Sequence, residues 1–198
     1  MKAVVKTKRK KGMEFTKVPV PKIGPRDVLI KVTLASICGT DVHIHDWTRW
    51  AQYRFTPPRI IGHEFVGNVK KIGDEVTQVN VGDRVSAESH ISCGSCYQCR
   101  NGYSEVCKNL RLLGVDHDGA CAEYLTLPEH VLWKNDPKIP DEWATIQEPF
   151  GNAIDTVMAE DVSAKTVLIL GAGPIGLFAT DIARASGASL IIVSDPNN

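Results

Sequence analysis

The sequence has no net charge and no long apolar run, and both absences exclude broad classes of function. Its 23 lysines and arginines are balanced by 23 aspartates and glutamates among 198 residues. Nucleic acids and anionic membrane surfaces reward an excess of positive charge, so neither is an expected partner. No stretch approaches the roughly 20 apolar residues that a membrane-spanning helix needs. We therefore expect an ordinary globular protein.

The first twelve residues carry six cations, but no apolar segment follows them, so a secretory signal is not expected. The strand-like runs at 3–5 and 15–18 flank these cations, which predicts that the cations lie at the solvated tip of a hairpin.

Cysteine is scarce outside one loop. Four of the six cysteines fall between positions 93 and 107, and Cys38 and Cys121 stand alone. A secreted disulfide scaffold spreads its cysteines through a short chain, whereas clustered thiols indicate a metal site in a reducing compartment. A cytoplasmic location is therefore expected.

The pattern of the chain changes near residue 149. Up to that point, short strands such as the alternating run 28–34 are separated by glycine and proline turns, which indicates a barrel-like β architecture. We assign residues 1–149 to a β-rich domain.

The remaining residues, 150–198, predict the opening of a parallel α/β sheet. A helix is expected at 150–160, followed by an apolar strand at 166–170 that should be buried on both faces. A glycine-rich turn, a helix to about Ser186 and a second strand at 190–193 complete one β-α-β unit. Because two open parallel strands are not stable alone, this domain is expected to be incomplete in the chain.

The four clustered cysteines predict a structural zinc site. Cys93, Cys96, Cys99 and Cys107 supply four thiolates within fifteen residues, and zinc binds four soft donors tetrahedrally. An iron–sulfur cluster is the main competitor, but its bacterial pattern brings the fourth cysteine sooner and follows it with proline. Here seven residues intervene and Lys108 follows. Another metal, free thiols or a disulfide remain alternatives.

A second set of possible ligands is dispersed along the chain. It consists of Cys38, His63, Glu64 and Glu148. Taken singly, each is more often a packing or polar residue. Together they offer one thiolate, one imidazole and two carboxylates, the ligand chemistry of a catalytic zinc that keeps one position open. Thr40 and His43 follow Cys38 by two and five residues, so a hydroxyl and an imidazole there are suited to carry a proton to solvent.

A glycine-rich turn follows the first apolar strand of the second domain. Gly171, Gly173 and Gly176 form a G-x-G-x-x-G pattern, and Asp195 ends the next strand. Such glycines let backbone amides approach a pyrophosphate, and the acid binds ribose hydroxyls. Because an acid repels a 2′-phosphate, NAD is expected rather than NADP. The alternative is a βα turn that is merely rich in glycine.

Taken together, these motifs resemble the zinc-dependent medium-chain dehydrogenase/reductase superfamily, and the similarity covers essentially the whole chain. The superfamily implies a mixed α/β fold, with a GroES-like catalytic domain followed by a Rossmann nucleotide-binding domain. Within it, the stretches 36–47, 62–64, 88–94 and 147–153 resemble the branch that oxidises threonine.

The resemblance also implies roles for individual residues. Cys38, His63 and Glu64 would belong to the catalytic zinc site, and Glu148 would assist proton relay or exchange as a ligand. Thr40 and His43 match the proton relay, His90 matches a histidine near the substrate pocket, and Ile175 and Asp195 match cofactor contacts. Whether Glu64 or Glu148 ligates the resting zinc stays open.

The activity that the resemblance implies is oxidation of the secondary alcohol of L-threonine to 2-amino-3-oxobutanoate, with hydride transfer to NAD. It also implies one catalytic and one structural zinc and a cytoplasmic homotetramer. Two alternatives remain. A polyol or butanediol dehydrogenase would share the same metal and cofactor machinery. A non-catalytic zinc-binding fragment would be consistent with an incomplete second domain.

Overall fold

The computed structural model describes residues 1–197, and the chain divides into two compact units. The first is Met1–Ile146 and the second begins at Gln147. The boundary expected from the sequence, after residue 149, falls inside a helix that starts at Gln147.

The first unit is built mainly from short strands. Its strands are β1 (Lys2–Lys6), β2 (Glu14–Lys17), β3 (Asp27–Ala35), β4 (Arg59–Ile60), β5 (Phe65–Ile72), β6 (Arg84–Ala87), β7 (His90–Ile91), β8 (Arg111–Leu112), β9 (Tyr124–Pro128) and β10 (Leu132–Lys134). Its helices are α1 (Gly39–Asp46), α2 (Arg49–Arg54), α3 (Tyr97–Arg100) and α4 (Asp141–Thr145), with single 3₁₀ turns at Ser104–Val106 and Glu129–Val131.

A five-stranded antiparallel sheet, in the order β10-β6-β5-β3-β9, holds the main core of this unit. Ile30 on β3 lies opposite Val69 on β5 and Leu125 on β9, and all three side chains are buried. The alternation expected along β3 holds for its first half only. The pairing with β5 shifts register between Val32 and Leu34, and Leu34 is 38% exposed.

The N-terminal strands form a second sheet in the order β2-β1-β4, so the predicted hairpin is confirmed. The expectation that its cations lie in solvent is wrong for Lys6, which is fully buried. The ammonium group of Lys6 tolerates burial because three backbone carbonyl oxygens accept its hydrogen bonds.

A small antiparallel ribbon supports the cysteine-rich loop. His90 pairs with Leu112 and Ile91 with Arg111, so residues 92–110 project from β7 and β8 as one lobe. The ribbon therefore fixes the two ends of that loop, and the conformation between them depends on interactions within the loop.

The second unit contains α5 (Gln147–Met158), β11 (Thr166–Leu170), α6 (Pro174–Ala185) and β12 (Leu190–Ser194). Its two strands pair in parallel, and the predicted mixed α/β class with a C-terminal β-α-β is confirmed. Ala153, Val157 and Ala183 are among the buried residues between the helices and the strands.

The expectation that β11 is buried on both faces is wrong. Val167 and Ile169 pack against the helical core, whereas Leu168 and Leu170 are 59% and 79% exposed. Successive strand residues point to opposite faces, and only one face of this sheet is covered within residues 1–197. In the same described part of the chain, the helices are too short or too polar to traverse a bilayer.

The central position of Ile30 generates a stability prediction. Substitution of Ile30 by Ala should lower the free energy of unfolding by about 2–5 kcal/mol, because it opens a cavity between β5 and β9. All four tryptophans lie in the first unit, so their fluorescence during urea denaturation reports on that unit. Leu34→Ala, at an exposed position on the same strand, is the control; an equal loss in both variants would contradict the assigned core.

Candidate metal centres and nucleotide-binding turn

Three of the dispersed ligand candidates meet at one point in the first unit. Cys38 is the N-cap of α1, and His63 and Glu64 lie in the segment between β4 and β5. One ligand atom from each lies within 4.8 Å of the other two, and His63 and Glu64 are buried. A thiolate, an imidazole and a carboxylate are donors that zinc accepts, so this donor set fits a zinc ion with a fourth position open.

Asp41 connects the two chain segments that carry these donors. Its carboxylate accepts a hydrogen bond from the Cys38 N–H at 3.0 Å and another from the Gly62 N–H at 3.1 Å. The side chain is 2% exposed, and burial raises the pKa of its carboxyl group, opposed by the Cys38 N–H and nearby His63. Sequence reasoning assigned no role to this residue. The available signal was its position, three residues into a helix, where an acid reaches back to the N-cap.

Close backbone packing also fixes the segment before His63. Gly62 has φ +91°, and a Cβ there would lie 2.5 Å from the Cys121 sulfur. A Cβ on Gly114 or Gly119 would collide with the backbone of Gly62. The loop that contains these two glycines therefore packs directly on Gly62, and no local sequence pattern predicted that contact.

Glu64 is oriented by a residue at the end of β3. The Ser36 hydroxyl donates a hydrogen bond to its carboxylate, and the Ser36 N–H donates to its carbonyl oxygen at 3.1 Å. Because a carboxylate has two oxygens, the bond to Ser36 and metal coordination are compatible.

The predicted relay residues lie on α1, directly after Cys38. The Thr40 hydroxyl is 3.8 Å from the Cys38 sulfur. His43, almost one turn later, is exposed, and its ring centroid lies 6.3 Å from that of Trp50. The helix thus places a hydroxyl beside the ligand set and an imidazole at the surface.

The other two candidate catalytic residues do not belong to the Cys38–His63–Glu64 set. His90 lies on β7, with its Nδ1 atom 3.1 Å from the Glu88 carboxylate, and this contact lowers the Glu88 pKa. Glu148 lies on α5 in the second unit, where the Asn152 amide donates to its carboxylate at 3.2 Å.

The four clustered cysteines converge in the loop between β7 and β8. Their sulfur atoms all lie within 4.8 Å of one another, with Cys96–Cys99 and Cys93–Cys107 at 3.5 Å. Tetrahedral zinc with bonds of about 2.3 Å requires sulfur separations of about 3.8 Å. The cluster fits a structural zinc, and all six cysteines of the chain are free of disulfides.

Local hydrogen bonds already favour a thiolate in this loop. The backbone N–H groups of Ser95 and Cys96 lower the pKa of Cys93 to about 5. Burial raises the pKa of Cys99 to about 11, so a cation is needed to hold all four sulfurs deprotonated together.

Cys121, outside both sets, has its pKa raised to about 12 by burial and the nearby Asp41 charge.

The glycine-rich turn joins β11 to α6 as predicted. Gly171 has φ +107°, Gly173 is the N-cap of α6 and Pro174 is its first residue. A Cβ on Gly176 would collide with the Gly171 carbonyl oxygen, so the helix can approach the turn only with glycine there. The helix N-terminus and its free N–H groups are thereby available to an anion.

Asp195 is tied to this turn by a contact that sequence reasoning missed. Its carboxylate accepts hydrogen bonds from the Ala172 and Asn197 N–H groups, both at 2.8 Å, and these bonds lower its pKa. Ile175, in the first turn of α6, is 48% exposed and lines a groove of about 670 Å³ with Gly171 and Gly173. All the predicted nucleotide contacts thus lie around one turn.

A β-rich unit with two zinc-type donor sets, followed by a glycine-rich β-α-β, is the architecture of an alcohol-dehydrogenase-like protein. Residues 24–141 match the family model of the alcohol dehydrogenase GroES-like domain. The chain belongs to this medium-chain dehydrogenase family.

Among its relatives is the L-threonine 3-dehydrogenase of Pyrococcus horikoshii, which is 54% identical over 198 residues. That alignment covers all of this chain and 57% of the relative, so the chain spans little more than half the length of the curated proteins it matches.

Solved structures share the fold. A protein described as a zinc-binding dehydrogenase from Sinorhizobium meliloti, bound to NADP, is 35% identical with a TM-score of 0.88, covering 97% of this chain and 55% of its own. An alcohol dehydrogenase from Escherichia coli CFT073, complexed with NADH, is 32% identical with a TM-score of 0.83, covering 100% and 63%. The 2R,3R-butanediol dehydrogenase of Bacillus subtilis is 26% identical with a TM-score of 0.85, also covering 100% and 63%.

The cysteine cluster generates a prediction about metal content. Cys107→Ser should remove one equivalent of zinc per chain and loosen residues 92–110, because three thiolates hold the ion less tightly. Zinc released on denaturation, together with the rate of tryptic cleavage after the exposed Arg100 and Lys108, measures both effects. Cys121→Ala is the control and should change neither quantity; full zinc content in Cys107→Ser would refute the assignment.

Asp41 generates a second prediction. Asp41→Asn should lower the free energy of unfolding of the first unit by about 1–3 kcal/mol, because the amide group cannot accept from both buried N–H donors. It should also weaken zinc retention by the set that contains Cys38. Tryptophan fluorescence in urea and zinc content after mild chelation measure these effects. Asp46→Asn, an exposed acid at the end of the same helix, should have little effect; equal losses would contradict the bridging role.

Proposed function

We propose that the whole protein is a zinc- and NAD-dependent dehydrogenase that oxidises the secondary alcohol of L-threonine to 2-amino-3-oxobutanoate. The observation that carries this proposal is the convergence of Cys38, His63 and Glu64 on one point. The substrate rests on the similarity to the P. horikoshii L-threonine 3-dehydrogenase.

Each residue around this point has a task that follows from its position. Cys38, His63 and Glu64 hold the resting zinc, which as a Lewis acid lowers the pKa of a substrate hydroxyl. Asp41 holds the two ligand-bearing segments next to each other, because its carboxylate accepts a hydrogen bond from a backbone N–H group of each. Ser36 orients the Glu64 carboxylate.

Proton movement follows α1 outward. Thr40, 3.8 Å from the Cys38 sulfur, receives the proton that the substrate hydroxyl gives up, and His43 delivers it to solvent from its exposed position. Glu148 would assist this transfer or serve as an exchanging zinc ligand, and His90 would be the histidine near the substrate pocket. These two roles rest on the resemblance of the surrounding stretches.

The second unit holds the cofactor, and NAD supplies the hydride acceptor. The amides around Gly171, Gly173 and Gly176 bind its pyrophosphate at the N-terminus of α6, with Ile175 alongside. The carboxylate of Asp195 binds the adenosine ribose hydroxyls and repels a 2′-phosphate, which favours NAD over NADP.

The four-cysteine zinc, the cellular location and the oligomeric state complete the proposed function. The four-cysteine zinc stabilises the loop between β7 and β8 and takes no part in the reaction. A cytoplasmic location is proposed for the whole protein, since six cysteines without disulfides suit a reducing compartment. The homotetramer is proposed on the resemblance to the family alone.

Two alternative functions have to be distinguished from L-threonine oxidation by experiment. Butanediol or polyol oxidation is supported by the structural similarity to the B. subtilis butanediol dehydrogenase. A zinc-binding chain without nucleotide binding is supported by the second unit, in which only two paired strands occur among residues 147–197. Calorimetric titration of NAD into this chain tests the latter, since heat of specific binding would exclude it.

The central prediction concerns substrate preference. NADH formation by the zinc-loaded whole protein is compared for L-threonine, 2R,3R-butanediol and sorbitol, and kcat/KM should favour L-threonine by at least about tenfold. His63→Ala should abolish turnover and release one zinc per chain, because the set then lacks its imidazole.

The control is His130→Ala, at an exposed histidine in the second 3₁₀ turn. Preference for a diol or polyol would overturn the substrate while leaving the metal and cofactor roles standing. Full activity with retained zinc in His63→Ala would overturn the catalytic ligand set.

A further inference from the structure

Lys6 is fully buried in the described chain although it carries a charge, and the proposed reaction makes no use of it. Its ammonium group donates hydrogen bonds to the carbonyl oxygens of Lys10, Gly12 and His45, at 2.6, 3.0 and 3.1 Å. Three acceptors require three N–H donors, so the group is a charged ammonium and not a neutral amine. Burial lowers its pKa, and the nearby Asp46 opposes this effect.

These contacts join the N-terminal hairpin to the last turn of α1. The His45 carbonyl oxygen accepts from Lys6 and also from the Gly12 N–H at 2.9 Å. A second lysine of the hairpin, Lys11, pairs with Asp46 at 3.0 Å. Cations near the end of a helix stabilise its unpaired carbonyl groups and the negative end of its dipole. The basic hairpin therefore stabilises the C-terminus of α1, whose C-cap residue is Trp47.

The residue that ends α1 depends on the same lysine. Trp47 has φ +56°, a left-handed conformation in which a bulky residue is strained and glycine is usual. The Lys6 ammonium lies 5.0 Å from the centre of the Trp47 ring, within the range of a cation–π interaction. Lys6 thus supports both the end of the helix and the unusual backbone that follows it.

The turn at Trp47 determines what surrounds His43. The chain reverses there, and the Thr48 N–H donates to the His43 carbonyl oxygen at 3.2 Å. Helix α2 begins at the next residue and brings the Trp50 ring to a centroid distance of 6.3 Å from the His43 ring. The surroundings of the His43 imidazole are therefore built by the turn that Lys6 holds.

We propose that Lys6 is a positioning residue for His43, acting through the left-handed turn at Trp47. The expected effect of Lys6 on catalysis rests on the proposed function, in which His43 passes a proton to solvent. The effect of Lys6 on the position of the His43 ring does not depend on that function, because the ring can be observed without any substrate.

The test uses the zinc-loaded whole protein with ¹³C-labelled histidine. Lys6→Met, which keeps the length of the side chain and removes its donors and charge, should shift the His43 imidazole resonances while zinc stays at the wild-type level. With L-threonine, kcat should fall at least about tenfold with KM within about twofold, because proton transfer and not binding is impaired. Lys8→Met, at an exposed cation of the same hairpin, is the matched control and should change none of these.

A double-mutant cycle with Trp47→Gly tests whether the effect of Lys6 on stability depends on Trp47. Glycine adopts the left-handed turn without strain and has no ring, so Lys6→Met should lower Tm by less in that background than in the wild-type background. An equal loss in both backgrounds, or unshifted His43 resonances in Lys6→Met, would overturn the proposal.

If Lys6→Met does not fold, Trp47→Gly alone should shift the His43 resonances, and their constancy would overturn the proposal in the same way. Absence of L-threonine turnover in the wild-type protein would refute the proposed function, whereas the resonances and the cycle would still decide the role of Lys6.

Discussion

The Asp41 carboxylate accepts hydrogen bonds from the N–H groups of Cys38 and Gly62, and the candidate catalytic centre depends on that bridge. Cys38 is the N-cap of a helix, whereas His63 and Glu64 follow Gly62, against which the backbone of another loop is packed. This shared acceptor, together with the hydrogen bonds from Ser36 to Glu64, keeps the two segments at a distance that one metal ion can span. Burial makes the bridge strong, because each N–H would otherwise lack a partner in a region that excludes water.

The eight-residue helix α1 then links the interior of the first unit to its surface. Its N-terminus carries Cys38 and Thr40 beside the ligand set, and its exposed face carries His43. Its far end contacts Lys6, the buried last residue of β1, through the His45 carbonyl oxygen. A helix this short has little stability of its own, so interactions at both ends determine where its side chains lie.

The two candidate metal sites differ in how they are built. Three of the four clustered cysteines lie within seven positions of sequence, and a short ribbon closes their loop, so spacing alone indicated the site. The proposed catalytic set instead draws on two separate segments, held by Asp41, by Ser36 and by the glycines that pack on Gly62. Such contacts leave no periodic pattern, which is why Asp41 and the approach of Gly114 and Gly119 were not predicted.

The sequence by itself determined the β-rich first unit, the parallel β-α-β, the four-cysteine loop and the glycine-rich turn, because each depends on short-range periodicity or spacing. Only the tertiary structure decided the convergence of Cys38 with His63 and Glu64, the exposure of Leu168 and the burial of Lys6. These depend on which distant segments pack together. A cation at a hairpin is expected in solvent unless carbonyl oxygens surround it. Lys10 and Gly12 of the hairpin supply two of them, and His45 supplies the third because α1 packs against the hairpin.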